Sequence, residues 1–194
     1  MNSAAKGSVP SRRIRRIAFV GHPGAGKTTS ALFGQRISPG SAIISVASPL
    51  KEIEQFIYQR IGLAAPSLTG IQDGRLQQEL RRLILERRGD FLERDFSARI
   101  AFCREEQVIF NDDCRLAMYK TLHNAGFVFV WVDGDHLRRR GDLTRAESTG
   151  ISHDAVILRD HCTHVIDNTG SIRQLFDGVA RLLTEDYAQR ATHQ

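Results

Sequence analysis

A three-layer α/β/α sandwich built on a five-stranded parallel sheet is the fold class this sequence predicts. Three observations predict it. Five short apolar runs alternate with segments of helical periodicity, the pattern of repeated βαβ units. The first apolar run ends in a glycine-rich turn that opens a helix. The chain has 194 residues, 41% hydrophobic and 25% charged, which suits one domain with a real core.

The elements follow in order. Ile14 to Val20 reads as a buried strand and Gly26 to Arg36 as a helix. Ala42 to Val46 is a second strand. Pro49 to Ile61 carries Leu50, Ile53, Phe56 and Ile57 at helical spacing, with proline in the first turn. Leu63 to Gly70 is a loop. Two amphipathic helices, Arg75 to Arg87 and Phe91 to Phe102, are split at Gly89-Asp90. Val108 to Phe110 is a third strand, Cys114 to Asn124 a helix closed by Gly126, and Phe127 to Val132 a fourth strand. Asp133 to Gly150 is polar and arginine-rich. A weak helix, Ser152 to Asp160, a fifth strand, Thr163 to Ile166, and a last helix, Ser171 to Asp186, complete the chain. The expected organisation is a flexible basic segment over 1–13 and a single domain over 14–194, with a small lid over about 133–150.

Composition narrows the functional classes. No run of 18 apolar residues exists, so no membrane-spanning helix is expected, and the polar N-terminus lacks a secretory apolar stretch. Cys103, Cys114 and Cys162 are odd in number and have no CxxC spacing, which points to a reducing compartment and a cytoplasmic location. The seven histidines show no metal spacing, and His153, His161 and His164 read as surface or satisfied residues. The net charge is +5, which favours an anionic partner. Of 27 basic residues only Lys6, Lys27, Lys51 and Lys120 are lysine, and arginine grips phosphate bidentately.

The turn after the first strand is the most specific signal. Gly21, His22, Pro23, Gly24, Ala25, Gly26, Lys27 and Thr28 fit the pattern G-x-x-x-x-G-K-S/T of a phosphate-binding P-loop. Glycines let consecutive backbone N–H groups turn inward, and the helix N-terminus adds positive field. Lys27 is expected to reach the β- and γ-phosphates of ATP, and the Thr28 hydroxyl to ligate Mg²⁺; Thr29 belongs to the same cradle. The side chain of His22 is expected to point outward. The chain thus reads as a P-loop nucleotide-binding sandwich.

Two further constellations belong to that chemistry. The third strand runs into Asp112 and Asp113, where P-loop proteins place an acid for Mg²⁺ or its water. Asp112 stands at the position of that acid, with Asp113 the adjacent alternative. Arg138, Arg139, Arg140 and Arg145 follow the fourth strand, where small kinases carry a lid that stabilises charge on the transferring phosphoryl group; Arg140 and Arg145 are the preferred pair. On the acceptor side, Ser48 reads as a helix cap or substrate contact, and Lys51, Arg75 and Arg115 as candidates for gripping an acceptor phosphate.

Several of these segments, in this order, resemble the deoxynucleoside monophosphate kinase-like P-loop family. The P-loop is one. Ser45 to Lys51 resembles the family's "FADPLK", with serine where aspartate is common. Arg75-Leu76-Gln77-Gln78 resembles its Arg-x-x-Gln region, Asp112 to Arg115 its "DDVR" strand end, and Val165 to Ser171 its "IxNxGs" stretch. The likeness runs from about Ile17 to Leu183. It implies ATP and Mg²⁺ at the P-loop, Asn168 near the adenine, and an acceptor phosphate near Lys51, Arg75, Gln78 and Arg115. Departures fall on the acceptor and lid sides. Leu116 to Tyr119 replaces "FpNE", no "HxSE" element is recognisable in Ala146 to His153, and the glycine after the Arg-x-x-Gln region is missing.

The expected activity is therefore transfer of the γ-phosphoryl group of ATP to a nucleoside monophosphate or a similar acceptor. The alternatives are a kinase of a nucleoside or other small hydroxyl metabolite, for which Asp113 is the candidate base, and a nucleotide-binding switch or NTPase without a small acceptor. No guanine-reading N-K-x-D string and no nucleic-acid recognition motif occurs. A homodimer is compatible with the sequence, and nothing in it requires one.

Overall fold

The computed structural model describes residues 15–66, 73–134 and 153–184. The expected leader over 1–13 lies outside them, as does the expected lid except for Asp133 and Gly134. The described strands are β1 (Arg16–Val20), β2 (Ala42–Ile43), β3 (Ile109–Asn111), β4 (Val128–Gly134) and β5 (His164–Asn168). The helices are α1 (Lys27–Ile37), α2 (Ser48–Arg60), α3 (Gly74–Arg87), α4 (Phe91–Ala101), α5 (Tyr119–Asn124), α6 (residues 153–159) and α7 (Ile172–Thr184).

The five strands form one parallel sheet in the order β2-β3-β1-β4-β5, so the strand leading into the P-loop is central. The central strands are mostly apolar, as suits a sheet with helices on both faces. Their period of two sorts the core. Ala18, Val20, Phe129 and Trp131 join one apolar cluster with Leu50, Leu92, Phe96, Leu122 and Leu158 from α2, α4, α5 and α6. Ile17, Phe19, Val130 and Val132 join the other, with Ala31 of α1 and Leu175, Val179 and Leu182 of α7. In α7 the buried positions Leu175, Gly178, Val179 and Leu182 repeat at helical spacing, giving a stripe against the sheet. The three-layer α/β/α architecture is as the sequence predicts.

Four local departures have physical causes. β2 is shorter than the apolar run to Val46, because the Val46 and Ala47 N–H groups bond to a carboxylate of Asp113 at 2.7 Å each instead of continuing the ladder. The helix expected from Cys114 starts late. Arg115 is extended (φ −117°, ψ 153°), and a 3₁₀ turn over Leu116–Met118 precedes α5. β4 and β5 reach further than expected because Asp133 pairs with Asp167 and Gly134 with Asn168. Ser48 lies inside α2 rather than capping it: the N-cap is Ala47, and Asp113 takes the N–H groups of Ala47 and of Val46 just ahead of the helix.

Candidate active site

The P-loop connects β1 to α1. Gly26, at the N-cap of α1, has φ 103°, a left-handed conformation that glycine adopts without strain. The Ala25 N–H closes a turn on the His22 carbonyl at 3.1 Å. Two neighbours hold the loop from the side of β4 and β5. Asn168 Nδ2 donates to the Ala25 carbonyl at 2.8 Å. Gly134 lies so close that a Cβ there would stand 2.6 Å from the Ala25 oxygen. Asn168, which the family likeness puts near the adenine, thus buttresses the loop directly.

Lys27 folds back on the loop. Its ammonium donates to the carbonyls of Gly21 and His22, at 2.9 Å each. Burial, and next the charge of Arg115, lower its pKa to about 8. His22 corrects the outward placement. It is partly buried, with its ring edge-on to Trp131 at 5.4 Å, and the Arg159 guanidinium lies 5.2 Å from the same indole ring.

The strand end resolves the two carboxylates geometrically. Thr28 Oγ1 donates to Asp112 Oδ2 at 2.7 Å, and Ser45 Oγ to Asp112 Oδ1 at 2.5 Å. Asp113 is engaged elsewhere: Oδ1 accepts from Val46 N and Asn111 Nδ2, and Oδ2 from Ala47 N. Burial and then the neighbouring Asp112 push its carboxyl above the usual carboxylate range, while the Ala47 and Val46 N–H groups and Lys51 pull the other way. The Thr28 hydroxyl and the Asp112 carboxylate are hard oxygen ligands side by side next to Lys27, a set that fits Mg²⁺ held jointly with phosphates. Among the described residues no group of three or more His, Cys, Asp and Glu is placed to hold a metal alone.

α2 and α3, which carry Ser48, Lys51, Arg75 and Gln78 of the expected acceptor side, run antiparallel. Tyr58 OH donates to Asp73 Oδ2 at 2.7 Å, and Gln77 Nε2 to Glu54 Oε2 at 2.5 Å. The seam orders the faces of α3. Gln77 and Arg81, one turn apart, are partly buried, whereas Arg75 and Gln78 lie on the exposed face. That outer face also carries Arg82, paired to Glu79 and Glu86. The likeness assigned Arg75 and Gln78 to the acceptor, but the inward positions belong to Gln77 and Arg81. Arg81 was not singled out from the sequence; helical phase against Leu80 and Ile84 is the signal that points to it.

Arg81 is half-buried, and burial, then the charge of Arg115, depress its pKa while Asp113 and Asp154 act against them. Arg115 therefore acts electrostatically on both Lys27 and Arg81. Neither Arg81 nor Arg115 makes an ion pair or a side-chain hydrogen bond among the described residues, unlike Arg82, Arg88, Arg94 and Arg99. Lys51, on the first turns of α2, acts on Asp113. Arg140 and Arg145 lie outside the described residues.

No protein-family model matches the chain, and no curated protein matches it significantly. Solved structures do. The chain is similar to the Thermus thermophilus protein TT1252, at 20% identity and a TM-score of 0.54 over 90% of this chain and 100% of that one. It also aligns with dephospho-CoA kinase from Campylobacter jejuni, at 12% identity and TM-score 0.49 over 90% of this chain and 98% of that one. Shikimate kinase from Acinetobacter baumannii aligns at 16% and 0.45, over 87% and 92%. At these identities the likeness to the Thermus protein is one of fold, and it spans nearly the whole chain. No described helix is long and apolar enough to cross a membrane.

Proposed function

We propose that this protein is an ATP-dependent phosphotransferase whose acceptor is a small anion of the nucleoside monophosphate kind. The observation that carries the reading is the 2.7 Å bond between Thr28 and Asp112 beside a P-loop lysine whose ammonium rests on the Gly21 and His22 carbonyls. Thr28 and Asp112 would hold Mg²⁺, which when bound offsets charge between the β- and γ-phosphates.

The chain's own groups account for the rest. Lys27 exchanges two neutral carbonyls for phosphate oxygens, a charge-assisted gain. Loop N–H groups and the start of α1 take the β-phosphate. Arg115 and Arg81 accept the anionic group of the acceptor, continuing the positive field away from Lys27. An ionised acceptor oxygen attacks the γ-phosphorus, the bond from that phosphorus to the β–γ bridging oxygen breaks, and ADP leaves with the electron pair. This acceptor brings its nucleophile already deprotonated, so no base is required. That fits Asp113, whose oxygens are occupied by three N–H donors and which serves here as the anchor of α2. Arg140 and Arg145 remain proposed lid residues.

The test is label transfer. Purified protein is incubated with ATP labelled in the γ-position, Mg²⁺, and a mixture of nucleoside monophosphates and nucleosides. Label in a nucleoside diphosphate supports the proposal. Label found only in free phosphate, or only in a product from a neutral hydroxyl, contradicts it.

A further inference from the structure

Asp112 is held at both of its oxygens, by hydroxyls from two different elements. Thr28 comes from the P-loop helix and donates to Oδ2 at 2.7 Å. Ser45 comes from the end of β2 and donates to Oδ1 at 2.5 Å. The Thr28 contact belongs to the cation site described above. The Ser45 contact does not, and neither the P-loop pattern nor the acceptor segment requires a hydroxyl there.

Ser45 is itself rigidly placed. It is 8% exposed, and its carbonyl accepts the Ser48 N–H at 3.3 Å. The next two N–H groups, Val46 and Ala47, both bond to Asp113. The turn between β2 and α2 is thus fastened to two consecutive carboxylates, with Ser45 on the first. A carboxylate at a strand end can rotate about two side-chain torsions. With Oδ1 tied to Ser45, rotation is blocked and Oδ2 stays directed at Thr28. Removing a group that orients a metal's ligand typically costs about 10–100-fold in metal affinity, because a misdirected lone pair binds poorly.

From this geometry, and resting on the phosphotransferase reading, we infer that Ser45 is a positioning residue for the cation: its hydroxyl aims Asp112 so that Oδ2 and Thr28 meet the metal together. Alanine at this position leaves Oδ1 without its donor in a nearly closed site, and Asp112 is then free to turn.

The test uses Mn²⁺ as a spectroscopic probe. Mn²⁺ binding to the full-length, ATP-bound protein is titrated by electron paramagnetic resonance in the wild type, Ser45→Ala, Ser45→Thr and Asp112→Asn. ATP affinity in excess EDTA and the thermal midpoint are measured beside it. Ser45→Ala is expected to weaken Mn²⁺ by about tenfold or more, with metal-free ATP binding unchanged and with Ser45→Thr restoring the affinity. If Asp112→Asn loses Mn²⁺ while Ser45→Ala keeps it, the inference falls and the phosphotransferase reading stands. If Asp112→Asn also keeps it, both fall. Equal losses of Mn²⁺ affinity, metal-free ATP affinity and thermal stability in Ser45→Ala reveal a merely structural serine and overturn the inference.

Discussion

The halves of this site proposed to hold the donor and the acceptor are made differently. The donor half is mostly backbone: a loop whose carbonyls and N–H groups are placed by glycine conformations, with Asn168 and Gly134 pressed against it. The proposed acceptor half is made of side chains: Glu54 with Gln77 and Tyr58 with Asp73 along α2 and α3, and the guanidiniums of Arg81 and Arg115, which form no ion pair among the described residues. A backbone cradle of this kind suits the phosphates of a nucleotide. Side chains outside the loop can change without disturbing it, and the departures from the resembled family fall outside the loop, at Leu116 to Tyr119 and after the Arg-x-x-Gln region among them. Asp112 and Asp113 join the halves, one carboxylate facing Thr28 and the other fastening α2.

Substitutions break the two halves in different ways, and the largest effect belongs to the donor side. Lys27→Ala is expected to lower kcat by about 10²–10³-fold, as loss of one preorganised charge-stabilising group does, measured as acceptor-dependent ADP formation. On the acceptor side, Arg81→Met should raise the acceptor KM about 10–100-fold, the loss of a hydrogen-bonded charge contact, and leave the KM for ATP in place. Arg75→Met, on the outer face of the same helix, should change neither; equal effects at 75 and 81 would invert the assignment of faces.

The donor side also carries a pH signature. The free protein holds Lys27 protonated below about pH 8 and increasingly neutral above it. ATP prefers the ammonium and raises its pKa in the complex. Affinity should be level below that pH and then fall by up to about tenfold per pH unit, with proton uptake on binding, as linkage requires. Calorimetry in buffers of different ionisation enthalpy reads the uptake, and Lys27→Met should abolish it. The smallest effect is structural. Glu54 is 0% exposed, its Oε1 has no hydrogen-bond partner among the described residues, and Gln77 serves its other oxygen. Gln77→Ala should therefore cost about 1–3 kcal/mol of stability in denaturant unfolding, while the KM for ATP stays as it was.

The same contrast explains what could be read before the structure. The P-loop is contiguous, its glycines and lysine have fixed spacing, and the short apolar runs mark the central strands; both were legible. Asp112 and Asp113 were legible as a pair but not individually, because their roles depend on which oxygen meets Thr28 and which meets the N–H groups of Val46 and Ala47. Gln78 and Gln77 differ by one residue and about 100° of helix, so the residue that the likeness marks lies on the exposed face while its neighbour turns to Glu54. Ser45, Gly134 and Trp131 were silent because their partners lie at Asp112, Ala25 and His22, far along the chain. The positions of Arg140 and Arg145 stay proposals.

The most direct measurement compares ADP formation from Mg·ATP with nucleoside monophosphates against the matching nucleosides, in wild type and in Arg81→Met. The account predicts stimulation by at least one monophosphate, none by its nucleoside, and a rise in the monophosphate KM on losing Arg81. Equal rates with monophosphate, nucleoside and no acceptor, unaffected by Arg81→Met, would contradict it.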